Sequence, residues 1–342
     1  MRAALIGCGD MSRAWLKAAG EIEGVAVVGL ADLDEGRARS RAAEFGLDEA
    51  VIAPDVATLL ARSGADVLFD VVVPGARQSV VRAALAAGCH VLSEKPLADG
   101  MDGARALVQA AREAGRLHVV MQNRRYVPGV RRLERFLRSG AIGDVTAVHC
   151  DFFKAPHFGG FREEMRHVLL LDMAIHTFDA ARLLAGSDAE TVFCQESNPS
   201  NSWYADGAAA NAIFTMRSGT IITYRGSWCA DGAPTSWESA WRIVGTRGSV
   251  TWDGEDNFVA EALCGSGERA GLFDNTERLE MPPLDAADRT GGHLGVMRDF
   301  VRAVRHDTEP ETVSHQNIKS LAMVFGAIES AETGQRVAME TI

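Results

Sequence analysis

The chain has 342 residues, 47% hydrophobic and 24% charged, the proportions of a soluble globular protein with room for two domains at roughly 150 residues each. Lys and Arg number 35 against 46 Asp and Glu, and the net charge of −11 argues against a nucleic-acid backbone as partner. No apolar run approaches the roughly 18 residues of a membrane span, and six cysteines without any C-x-x-C fit neither a zinc site nor a disulfide framework, so a cytoplasmic protein with no metal is expected.

The first 122 residues alternate between two periods. Apolar strand-like runs at Ala3–Ile6, Val25–Ala31, Val67–Val73, His90–Leu92 and Leu117–Met121 are separated by helical stretches at Met11–Ala19, Glu35–Phe45, Val56–Ala61, Arg77–Ala87 and Met101–Ala114. The opening run is too short for a signal peptide and goes straight into glycines. Strands apolar on both faces, joined by helices, predict a doubly wound α/β domain with a parallel sheet over 1–122. After Asn123 the texture changes. A helix is predicted from Pro128 to about Ser139 and a long strand at Val145–Phe153. Hairpins are predicted at Ala208–Met216 with Thr220–Trp228 and at Trp241–Val244 with Ser249–Trp252, and helices at Asp172–Leu184, His293–Arg305 and Gln316–Thr333. Glu196–Gly207 reads as a loop. Together these predict an α+β domain with a large, open, mostly antiparallel sheet over 123–342.

Gly7-Cys8-Gly9-Asp10-Met11-Ser12 follows the first strand and opens the first helix. In a dinucleotide fold the first glycine makes the turn, the second lets the backbone approach a pyrophosphate, and the anion sits on the helix N-terminus. The usual third glycine is Ser12, small enough for close packing; a purely structural glycine turn is the alternative. Asp32 ends the second strand, 23 residues past Gly9, where a carboxylate accepts from the ribose hydroxyls and repels a 2′-phosphate, which favours NAD over NADP. Its alternative is a helix N-cap, and Arg37 nearby is the residue that could still reach a phosphate.

Lys95, in Glu94-Lys95-Pro96 after the fifth strand, is either a surface cation or a group in the cofactor crevice. Asp172, His176 and Asp179 are spaced four and three apart, which on an α-helix places them on one face. A histidine flanked by carboxylates suits proton transfer, because the acid fixes its tautomer and orientation; a surface ion pair and a metal site are the other readings. Asn123, Arg124, Tyr126, His157 and Arg162 flank the junction of the two predicted domains or lead toward Asp172, and are the candidates to line a substrate pocket.

These residues resemble the glucose–fructose oxidoreductase / inositol dehydrogenase (Gfo/Idh/MocA) family. The likeness is carried by Ala84-Leu85-Ala86-Ala87-Gly88-Cys89-His90-Val91-Leu92-Ser93-Glu94-Lys95-Pro96-Leu97, by the D-x-x-x-H-x-x-D run of Asp172, His176 and Asp179, by Phe161-Arg162, by Gly245–Gly248 and by the tail Glu329–Val337. Departures are Ser12, Gln78 where a histidine often follows the strand-end proline, and His167–Leu169 in place of paired glycines. The resemblance implies an NAD-dependent oxidoreductase acting on a secondary alcohol of a sugar, cyclitol or related polyol. It also implies a homo-dimer or homo-tetramer joined through the open sheet. Lys95 and His176 would contact the reacting hydroxyl with Asp172 in support. The cofactor would meet Gly7, Gly9, Asp10, Met11, Ser12 and Asp32, with Val73, Pro74, Gln78, Glu94, Lys95 and Gln122 further along the strand ends. The alternatives are an NAD-dependent glycosidase on the same fold and a non-catalytic sugar- or dinucleotide-sensing protein.

Overall fold

The computed structural model describes residues 1–265, 269–270, 272–285 and 287–340; the last two residues of the predicted second domain lie outside them. The chain forms two compact units, Met1–Tyr126 with Arg289–Leu321, and Val127–Asp288 with Ala322–Ile342. Among the described residues no helix is long and apolar enough to cross a membrane.

In the first unit six strands, β1 (Arg2–Ile6), β2 (Ala26–Ala31), β3 (Val51–Ala53), β4 (Val67–Asp70), β5 (His90–Ser93) and β6 (His118–Val120), form one parallel sheet in the order β3-β2-β1-β4-β5-β6. Helices α1 (Met11–Gly20), α2 (Glu35–Glu44), α3 (Val56–Ser63), α4 (Pro74–Ala86) and α5 (Met101–Ala114) connect them. Ala3, Ala4, Leu5, Val67, Leu68 and Phe69 are wholly buried, as strands covered on both faces must be. The fourth strand stops at Asp70 rather than Val73, because Pro74 occupies the first position of α4, where its missing N–H costs nothing.

Residues 289–321 return to this unit from far along the chain. Helix α8 (His293–His306, with α6 and α7 described below) puts Val296, Met297, Phe300 and Val301 into the core that holds Trp15 and Phe69. The Tyr126 hydroxyl donates to Asp299 at 2.8 Å.

Polar groups are also buried at the strand ends. The Arg77 guanidinium meets Asp70 at 2.9 Å and donates to the carbonyls of Val72 and Pro96, and Ser93 pairs with His118 at 3.0 Å. Burial, aided by the Arg77 charge, lowers His118 from 6.5 to about 3. The unfolded chain therefore takes up this proton first. His118's contribution to stability is complete above about 6.5 and is lost as pH falls toward about 3. The urea midpoint is expected to drop across that window, and His118→Gln to flatten part of the slope. Equal slopes for the two proteins would contradict this.

The second unit is built on a nine-stranded sheet. Its strands are β7 (Val145–Phe153), β8 (Ala189–Ser197), β9 (Ala209–Met216), β10 (Ile221–Ser227), β11 (Ala240–Gly245), β12 (Gly248–Trp252) and β13 (Phe258–Leu263), with β16 (Thr276–Leu279) and β17 (Val337–Ala338) at the edges; β14 (Arg269–Ala270) and β15 (Phe273–Asp274) pair separately. The order is β16-β13-β12-β11-β7-β10-β9-β8-β17, antiparallel except between β7 and β10. Both predicted hairpins are present. Helices α6 (Pro128–Arg138) and α7 (Ile175–Ala185) and the second part of α9 (Ser314–Thr333) belong to this unit. Phe178 of α7 packs edge-on against Phe214 and Tyr224, 4.9 and 5.1 Å away, on one face of the sheet. The opposite face leaves Phe193 and Ile213 half exposed. The helix predicted from Asp172 starts differently: Leu169–Ala174 is wound as a π-helix and the α-helix begins only at Ile175.

Candidate functional site

The turn after β1 is set by its glycines. Gly7 has φ +93, and a Cβ there would lie 2.6 Å from the Val71 carbonyl oxygen, so a side chain is excluded by backbone. A Cβ on Gly9 would meet nothing within 4 Å. Its bareness serves no neighbour within the protein and leaves room for a ligand against the backbone. Ser12 is buried and donates its hydroxyl to the Gly9 carbonyl at 2.6 Å, filling the place of a third glycine. Helix α1 begins without a side-chain cap; the Ser12 and Arg13 N–H groups donate to the Gly9 and Asp10 carbonyls, which leaves the N–H groups of Gly9, Asp10 and Met11 at the helix start for an anion.

The Asp32 carboxylate accepts from the Cys8 N–H at 2.8 Å and the Asp34 N–H at 3.0 Å. The cap of α2 is Asp34, which accepts from Gly36 and Arg37, so Asp32 is not the N-cap. Beside the turn lies a cavity of about 590 Å³ lined by Arg13, Arg37, Ser40, Arg41 and Glu44 among others. Two of its three arginines face carboxylates: Arg13 pairs with Asp10 and Glu44, and Arg41 with Glu44. The residues present fit a dinucleotide: an open glycine, an uncapped helix and a carboxylate held at the next strand's end.

At the end of β5, burial would raise the Glu94 carboxyl, but His293 Nε2 at 3.7 Å, the hydrogen bond from Trp15 and the charge of Lys95 outweigh it and hold it below its usual range. Ionised Glu94 accepts from Trp15 Nε1 at 2.9 Å and from the Lys95 N–H at 3.0 Å, which anchors the backbone under Lys95. Val73 is exposed as the cap of α4, and Gln78 is exposed one residue past buried Arg77. Gln122 is fully buried and accepts from Asn317 at 3.5 Å.

The second unit holds the other group. Arg162 Nε donates to Asp172 at 3.0 Å, and its guanidinium lies 4.9 and 5.1 Å from the rings of Phe161 and Phe158. His176 and Asp179 are buried on α7. Asp172 lies on the π-helix, so its spacing to His176 crosses a change of winding rather than one regular α face. His157 stacks on Trp203 at 3.6 Å. Asn123, Arg124 and Tyr126 fall instead in the first unit: Asn123 meets His293 at 3.2 Å, and Tyr126 is fully buried against Asp299, where it is spent on the core.

Sequence reasoning passed over Arg41, Arg77 and His293. The first two carried a signal, since each is a charge on the otherwise apolar stripe of its helix, Ala38-Arg41-Ala42 on α2 and Arg77-Val80-Val81-Ala84 on α4. His293 carried none.

Comparison with known proteins bears on both units. Residues 1–122 match the oxidoreductase family with an NAD-binding Rossmann fold, and residues 130–251 match the GFO/IDH/MocA C-terminal domain. An inositol 2-dehydrogenase from Saccharopolyspora erythraea is 31% identical over 84% of this chain and 98% of its own length. A D-apiose dehydrogenase from Paraburkholderia graminis is 27% identical over 100% of this chain and 90% of its own. An oxidoreductase from Agrobacterium radiobacter, solved with NAD+, L-tartaric acid and magnesium, has the same fold, with a TM-score of 0.86 at 22% identity over 99% of this chain and 98% of that one. A dinucleotide turn in one unit and an open antiparallel sheet in the other are the two halves these matches describe, and the chain belongs to the Gfo/Idh/MocA family of NAD(P)-dependent oxidoreductases.

Proposed function

We propose that the protein is an NAD-dependent dehydrogenase oxidising a secondary alcohol of a sugar, cyclitol or related polyol. The observation that carries the cofactor reading is the uncapped start of α1 behind open Gly9, with Asp32 held at the end of β2. The substrate class is supported by relatives named for D-apiose and inositol.

The bound nicotinamide supplies or accepts the hydride. His176 takes the hydroxyl proton in oxidation and returns it in reduction, with Asp172 and Asp179 orienting the imidazole. Lys95 donates a hydrogen bond to the substrate oxygen and stabilises developing alkoxide charge. Glu94 and Arg77 hold the backbone on either side of it, at the Lys95 N–H and the Pro96 carbonyl. Asn123, Arg124, His157 and Arg162 recognise the remaining hydroxyls. The half-exposed sheet face around Phe193 and Ile213 joins copies of the chain.

Two measurements test this. Incubation with NAD and a panel of sugars and cyclitols is expected to give NADH; turnover without net NADH would favour the glycosidase, and binding without turnover the sensor. Fluorescence titration is expected to give tighter binding of NADH than NADPH, because Asp32 would face a 2′-phosphate; the reverse order would overturn the NAD assignment.

Arg162→Ala is expected to raise KM for substrate by roughly tenfold or more, the worth of a charged hydrogen bond, with little change in KM for NAD. The same variant removes the Arg162 ion pair from Asp172, so kcat is expected to fall as well. If KM for substrate and NAD shift equally, or the variant unfolds, Arg162 is structural and recognition lies elsewhere.

A further inference from the structure

Arg41 projects from α2 toward the glycine turn and is 6% exposed. Its Nη2 lies 3.3 Å from the Cys8 carbonyl oxygen and 3.2 Å from that of Gly9. Nη1 donates to Glu44 at 2.5 Å, and the other Glu44 oxygen accepts from Arg13, which in turn holds Asp10. Nε is buried and has no partner among the described residues. An ion pair with Glu44 alone does not account for this arrangement. A cation has been taken out of water, left with one N–H unsatisfied, and spent on two consecutive backbone carbonyls.

Covalent geometry says what that achieves. In a trans peptide the C=O of one residue and the N–H of the next share a plane and point in opposite directions. Arg41 draws the Cys8 carbonyl toward itself and shares the Gly9 carbonyl with the Ser12 hydroxyl and N–H, and this turns the N–H groups of Gly9 and Asp10 the other way. The Cys8 N–H is already taken by Asp32, so these two face outward together, over a glycine with no Cβ and at the start of an uncapped helix. Successive outward N–H groups of this kind form an anion-binding concavity.

We propose that Arg41 is a positioning residue for the cofactor pyrophosphate, acting through the turn by aiming the Gly9 and Asp10 amides. The proposal rests on the dinucleotide reading above. It assigns Arg41 no direct contact with cofactor, because its donors face the carbonyls.

The test compares the parent with Arg41→Met, which keeps most of the stem volume without donors, and Arg41→Lys, whose ammonium reaches one carbonyl. Each is titrated with NADH, ADP-ribose and adenosine, and melted to verify folding. Arg41→Met is expected to raise Kd for NADH and ADP-ribose by about tenfold or more, with Arg41→Lys in between, and to leave adenosine within about twofold, since adenosine carries no phosphate. A folded Arg41→Met with parental Kd for ADP-ribose overturns the proposal. So does an equal loss for all three ligands, which marks general loosening. If Arg41→Met does not fold, Arg41→Gln, which keeps an amide donor, decides by the same comparison. Failure of the parent to bind NADH or NADPH overturns the cofactor reading itself, before any variant is made, and the proposal with it.

Discussion

Replacing His176 with alanine is expected to cut turnover by roughly two to four orders of magnitude, the usual worth of a positioned acid–base group, and to leave NADH affinity near the parent's. The glycine turn proposed to bind NADH belongs to the first compact unit and His176 to the second, which is why the two readouts are expected to separate. His176 is buried, and its removal leaves a cavity beside Asp179, which is also buried. His176→Gln controls for that, because it restores most of the volume and some hydrogen bonding without a group that titrates near neutral pH. Both variants are expected to be slow. Near-parental turnover in either, in a folded protein, removes His176 from proton transfer.

The two glycines of the turn are expected to fail in different ways. Gly7→Ala forces a Cβ to within 2.6 Å of the Val71 carbonyl oxygen at φ +93, and backbone cannot step aside as a side chain can. The cost is on the order of 3 kcal/mol, with the turn distorted and NADH binding lost. Gly9→Ala meets nothing within 4 Å, so its melting temperature is expected to match the parent's. Its Kd for NADH is nonetheless expected to rise by roughly tenfold or more, because the methyl occupies the space the pyrophosphate approaches. Thermal melts and fluorescence titrations on the two variants read this directly. A Gly9→Ala protein that binds NADH normally would make the turn a structural feature only.

Much of this was legible from residue order, where local pattern decides the outcome. Nine residues of alternating burial make β7, and the predicted Val145–Phe153 is the strand observed. The parallel strands declared themselves by continuous apolar runs between helices. Three kinds of feature were not legible. Strand β3 has three residues, too few to show a period. Strand β8 alternates only from Val192 through Cys194, because a bulge after Ala189 breaks the period, and its end at Ser197 runs into the Ser- and Asn-rich stretch that reads as loop. The stripe Val296-Met297-Phe300-Val301 says that α8 is buried on one side, not which of the two sheets it covers, and that choice is made by packing on Trp15 and by Tyr126 meeting Asp299.

The site divides along the same line. Gly7, Gly9 and Asp32 are linked by spacing after adjacent strands, and the fold brings them to one turn. The ion pair between Arg162 and Asp172 spans an irregular segment with no period to read, and the π-winding that carries Asp172 has no signature in Leu169-Leu170-Leu171. Arg41 could have been found, as a charge where the stripe of α2 calls for an apolar residue.

The most direct test of the central claim is stoichiometric. With the sugar or cyclitol that responds in the panel, NADH formed is measured against secondary alcohol lost and carbonyl gained. One NADH for each alcohol oxidised, with turnover lost in His176→Ala, is the predicted result. Substrate consumed with no net NADH, or NAD bound with no oxidation of any polyol, would contradict it.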